Sequence, residues 1–141
     1  MAKSVGKSIW AVFAGFVVIV ILSVAADTVL KLTGVLPYDH LYVSTGLILT
    51  VIFYRAVFSF IGCYLAARLA PQNPMTHALA LGVVGMAVST AGAILAADLG
   101  PAWYNWSLVV IALPIAWFGG KWYEMRILQS ERRNIRETVS N

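Results

Sequence analysis

Charge is scarce in this sequence. Only 11% of its 141 residues are Asp, Glu, Lys or Arg, while 60% are hydrophobic; in soluble domains roughly a quarter of residues are charged. A soluble fold of this length cannot hide so much apolar surface, so lipid is the expected solvent. Cysteine is nearly absent as well. The single Cys63 excludes an intramolecular disulfide and any CxxC pair for redox chemistry or zinc. His40 and His77 are the two histidines, and they fall at opposite membrane faces in the topology derived below, with Cys63 near neither. No metal cluster, Cys/His couple or other cofactor is therefore expected. Met75-Thr76-His77 has the groups to touch a soft metal, but a histidine at a helix start in a polar interface is the simpler reading. Paired acids within an apolar run, the mark of acid–base work, are missing. Gly6-Lys7-Ser8 ends like a phosphate-binding loop, yet Met1 stands where the loop's first glycine belongs and no strand precedes it. These absences point to a protein without enzymatic activity.

What is present is a succession of apolar stretches, which predict an all-α transmembrane four-helix bundle over residues 1–123, with helices at about 9–30, 41–69, 75–97 and 102–120. The first is preceded by Lys3 and Lys7. Small residues at Ser23, Ala25 and Ala26 imitate a cleavage site, but apolar character resumes past Asp27 through Val29, Leu30 and Leu32, so an uncleaved anchor is expected. Gly34 and Pro37 mark its end, and Asp39 is placed to cap the second helix. The turn Pro71-Gln72-Asn73-Pro74 makes the second and third helices a hairpin, with Asn73 capping and Pro74 at the first helical position. The turn Asp98-Leu99-Gly100-Pro101 leads into the fourth. Trp103, Tyr104 and Trp106 at one end of that helix, and Trp117, Trp122 and Tyr123 at the other, form aromatic belts one bilayer apart. Pro114 lies between them and removes the donor for the Val110 carbonyl, which predicts a kink and a candidate hinge.

Lysine and arginine set the orientation. With both termini cytoplasmic, Lys3, Lys7, Arg68, Lys121, Arg126, Arg132, Arg133 and Arg136 lie inside, and only Lys31 lies outside, as the positive-inside rule favours. The net charge of +4 thus gathers at membrane boundaries and in a basic cytoplasmic tail, residues 124–141. Anionic lipid at the cytoplasmic face is a simpler partner for it than nucleic acid. The tail is expected to prolong the fourth helix or to lie on the lipid surface, and then to fray.

Arg55 is the exception to this boundary pattern, since uncharged residues run from Val43 to Tyr54 before it and from Ala56 to Ala67 after it. An intramembrane cation needs a partner, a cavity or a bundle interior. Ser44, Ile48, Val51, Ser59, Gly62 and Ala66 share its helical face. A rise of 1.5 Å per residue, counted from Ser8 and Leu69, puts Asp27 roughly 28 Å and Arg55 roughly 21 Å above the inner boundary. An offset of about 7 Å is within reach of a snorkelling arginine, so Asp27 and Arg55 are the expected buried ion pair; Asp98, at roughly 33 Å, is the poorer partner. Helix packing is expected from the third segment, where Ala78, Gly82, Gly85, Ser89, Gly92 and Ala96 form a stripe at alternating spacings of four and three. Such a stripe admits a neighbouring backbone, so leucine at Gly85 or Ser89 should push helices apart. The stripe serves intramolecular packing more simply than a dimer face.

Several phrases resemble an uncharacterised family of short bacterial four-helix integral membrane proteins: Asp27-Thr28-Val29-Leu30 with Thr33-Gly34-Val35-Leu36-Pro37, Tyr54-Arg55, Gly62 to Pro71, Pro74-Met75-Thr76-His77-Ala78, and Leu113 to Gly120. The resemblance covers nearly the whole chain except the tail after about Tyr123. It implies four helices in a bacterial inner membrane and supplies no activity. In helix number the chain is also similar to small multidrug exporters, which depend on an acid in the middle of the first helix. Here that middle is Phe16 to Ile21, and Asp27 lies nearer the outer end. The sequence therefore favours a structural or accessory membrane protein, a homo-oligomer or subunit of a larger complex, over a small transporter or channel using the Asp27/Arg55 pair. A polar cavity reaching Arg55 would reverse that preference, and a dry, closed bundle would uphold it.

Overall fold

Apolar runs of this length satisfy their backbone in lipid only as helices. The computed structural model describes residues 2–37, 44–95 and 97–140, and among them there are helices and no strand. Helix α1 spans Ala2–Leu32, α2 Thr45–Leu69, α3 Pro74–Leu95 and α4 Ala102–Ser140, with a 3-10 turn over Ala97–Leu99 before α4. All four are long and apolar enough to cross a membrane. Large apolar side chains stand exposed along each of them, for example Phe13, Ile21, Phe53, Val84 and Val110.

The ends of the helices follow local chemistry. Gly34 takes φ +75, which costs a glycine nothing, and closes α1: its N–H donates to Lys31 O at 3.1 Å while Val35 N–H donates to Leu30 O at 3.0 Å. That crossed pair is a Schellman cap. The second helix starts later than its apolar run suggests. Ser44 has extended backbone and its hydroxyl accepts from Leu47 N–H at 3.2 Å, so Ser44 is the N-cap. Asp39, expected in that role, lies outside the described residues, as do residues 41–43. Pro74 opens α3 as expected, but Asn73 serves it through the backbone, its carbonyl accepting from Thr76 N–H at 3.0 Å. Two boundaries move outward. Helix α1 begins well before residue 9 because nothing in Ala2–Ser8 breaks a helix, and Ser8 folds its hydroxyl back onto Ser4 O at 2.9 Å. Helix α4 runs unbroken past residue 120, through Pro114, Gly119 and Gly120, to Ser140.

Packing joins α1 to α2 and α3 to α4, with α2 also against α3 and α4 and a lighter contact between α1 and α3. At the end of the bundle beside the α2–α3 turn, small residues bring the helices close. Cys63, Ala66, Ala67, Ala78, Leu81 and Ala116 form a buried cluster there, flanked by Val12, Phe16 and Ile19. A Cβ on Gly15 would stand 2.6 Å from the Gly62 carbonyl, and one on Gly119 would stand 3.1 Å from the Phe60 carbonyl. These glycines therefore set the approach of α1 and of α4 to α2. Tyr64 and Tyr123 meet edge-on at 5.6 Å on the same side. At the opposite end Leu36, Ile48, Val51 and Tyr104 make a second buried cluster, with Leu30, Tyr54 and Leu108 against it.

Candidate functional site: an ion pair facing an interhelical cavity

Asp27 lies on the last turns of α1 and Arg55 near the middle of α2. Arg55 Nη2 donates to Asp27 Oδ2 at 2.6 Å. The other carboxylate oxygen, Oδ1, accepts from the hydroxyl of Tyr54. Two consecutive residues of α2 thus hold one carboxylate of α1. Tyr104 of α4 is buried and stands within electrostatic range of both charges. The pair is half-buried, with 32% of the Arg55 side chain and 28% of the Asp27 side chain exposed. Arg55 is not fully satisfied, since its Nε is shut off from solvent and has no partner among the described residues. A buried donor left this way costs free energy until an acceptor reaches it.

Both charges open onto a partly open cavity of about 270 Å³ lined by residues of all four helices. Its wall is apolar where Phe16, Ile19, Val24, Leu108 and Ile111 face it, and polar at Ser23, Ser59 and Ser89. Leu81 belongs both to this wall and to the first buried cluster, while Leu108 borders the second. The cavity therefore fills the space between two packed ends, with the ion pair on its margin.

The small stripe of α3 divides along its length. Ala78 and Gly82 are buried and meet α4, where a Cβ on Gly120 would lie 2.9 Å from Ala78 Cβ. Gly85 and Ser89 instead line the cavity, and a Cβ on Gly85 or Gly92 would meet nothing within 4 Å. Gly92 is exposed, and Ala96 lies outside the described residues. At Gly85 the stripe thus leaves open space for a Cβ, whereas at Gly82 a Cβ would stand 2.5 Å from Ala116 Cβ. Pro114 is exposed within a continuous α4. Asp98 is exposed in the turn before α4 and is not in the Arg55 ion pair. Cys63 is buried, His77 donates from Nδ1 to Asn73 O at 3.1 Å, and His40 lies outside the described residues. Among the described residues no group of three His, Cys, Asp or Glu side chains is placed to hold a metal.

Tyr54 is the residue that sequence reasoning missed. Its signal was a phenol within an apolar span next to Arg55, where its hydroxyl must find a partner. Comparison with protein-family models, curated proteins and solved structures finds no match.

Proposed function

We propose that this chain is a multi-pass protein of the bacterial cytoplasmic membrane, with both termini cytoplasmic, that takes a small solute into the cavity beside Asp27 and Arg55 and passes it across the bilayer. The single observation carrying this reading is the cavity of about 270 Å³ that reaches the ion pair from within the bundle. A merely structural clasp needs no such space beside it. The wall suits a solute with an apolar body. The unmet group is a donor, Arg55 Nε, whereas both oxygens of Asp27 already accept. Since Nε is closed to solvent, the solute's polar end meets the part of the Arg55 side chain that stays exposed, and because a guanidinium only donates, that end is a hydrogen-bond acceptor, a carbonyl or carboxylate.

The role is non-enzymatic, since binding and passage need only the cavity and the pair. Anionic headgroups meet the cations where α4 leaves the membrane, among them Lys121 and Arg126. A structural or accessory subunit is the second reading, supported by the close, small-residue packing at the α2–α3 end. Uptake of small carboxylates and neutral carbonyl compounds into proteoliposomes separates the two. Gly85→Leu fills the cavity without touching the pair, so it should abolish uptake while melting like the parent. A panel with no uptake by the parent protein, or uptake unchanged in Gly85→Leu, refutes the transport reading.

A further inference from the structure

Helix α4 is 39 residues long, about 58 Å at 1.5 Å per residue, against a hydrocarbon core of about 30 Å. Every residue from Leu128 to Ser140 is exposed, so this part of the helix leans on nothing else in the chain. A lone helix of this length in water is marginal unless an apolar face is packed. Such a face exists. Met125, Leu128, Ile135 and Val139 are exposed apolar residues at alternating three- and four-residue steps, the a and d positions of two heptads, with Arg132 at the a position between them.

The seam does not stop at the membrane. At 100° per residue Trp106, Val110 and Trp117 fall within about 40° of Leu128 around the helix axis, and all three are exposed on the outward side of the bundle. One face of α4 is thus exposed and mostly apolar along its length, interrupted by Lys121, about 20° from Leu128 around the axis, and by Arg132. The flanks are complementary in charge. Glu131 takes the g position and Arg136 the e position five residues on, the spacing at which g of one strand meets e of a parallel partner. Neither residue has an ion pair within the chain among the described residues. Copies of one chain inserted the same way present their α4 helices in parallel, the arrangement this pairing requires.

We propose that the extension of α4 beyond the bundle is a two-stranded parallel coiled coil joining two copies of this chain. Two heptads are short for free peptides, but confinement in a shared membrane raises the effective concentration of the strands. Arg132 lays its stem along the seam and its head in water, and a polar residue at an a position lowers stability while fixing register.

The test uses the full-length protein in its membrane with Cys63→Ser as background. Under mild oxidation Ile135→Cys should convert most of the chain to disulfide-linked dimer, while Ser130→Cys, on the far side of the helix, should stay monomeric. In the Ile135→Cys protein, Glu131→Arg alone or Arg136→Glu alone should reduce the dimer, and the two together should restore it. Equal cross-linking at 130 and 135, monomer at both, or no rescue by the double reversal overturns the proposal; monomer at both would assign the seam to lipid or to another protein.

Discussion

The hydroxyl of Tyr54 donates to Oδ1 of Asp27, the oxygen that Arg55 leaves free when it binds Oδ2. The carboxylate is therefore clamped by a neutral and a charged donor from one turn of one helix. This joins the last turns of α1 to the middle of α2, beside the cavity.

Removing either charge leaves the other poorly compensated, so the pair should couple strongly. Asp27→Asn and Arg55→Gln should each destabilise the protein by about 1–3 kcal/mol, below the roughly 3–5 kcal/mol of a fully buried pair, because the side chains keep 28% and 32% exposure. The double variant should lose less than the sum. A double-mutant cycle by thermal melting in detergent and in lipid measures this, and additive losses would remove the pair from the account.

Tyr54→Phe deletes one donor and preserves the ring. It should cost about 0.5–1.5 kcal/mol, and almost nothing once Asp27 is already Ala and offers no acceptor. A full, independent loss in the Asp27→Ala background would mean that Tyr54 acts through packing, for instance with Phe58, whose ring centre lies 5.7 Å away.

Glycines that look alike in the sequence should differ sharply. Gly15→Ala drives a methyl to 2.6 Å from the Gly62 carbonyl and 2.7 Å from Leu81 Cδ2, and backbone there cannot retreat, so a loss of about 1–3 kcal/mol is expected. Gly85→Ala meets nothing within 4 Å and should be neutral or stabilising by up to about 1 kcal/mol through helix propensity. Equal melting shifts would show that α1 does not cross α2 at Gly15.

That contrast marks what was legible in the chain. Four helices long and apolar enough to cross a membrane, the turn at Pro71 to Asn73 and the Asp27/Arg55 pair could be read because length, breakers and depth are local quantities. The division of the α3 stripe could not, since spacing says which residues share a face and not which part of that face meets a neighbour. Gly15 carries no pattern of its own; its role arises only where α1 crosses α2 at Gly62. The continuation of α4 into the tail was one of the two courses expected of the basic segment; packing of Gly119 and Gly120 against α2 and α3 offsets their helix-weakening tendency and carries the helix through.

The proposed orientation, with both termini cytoplasmic, rests on the distribution of the cations. Single cysteines at Ser4, Tyr38 and Ser140 in a Cys63→Ser background should react with an impermeant reagent in intact cells only at position 38. Labelling of position 140 from outside would reverse the topology.

The central claim is that water and solute reach the ion pair through the cavity. Ser59 and Ser89 line it from α2 and α3, while Cys63 lies one turn beyond Ser59 in the packed cluster. The direct measurement is the rate at which Ser59→Cys and Ser89→Cys, each in the Cys63→Ser background, react with a small water-soluble thiol reagent in proteoliposomes, against Cys63 in the parent. The account predicts prompt reaction at 59 and 89, protection there by a transported solute, and no reaction at Cys63. Silence at all three positions would describe a dry, closed bundle and contradict it.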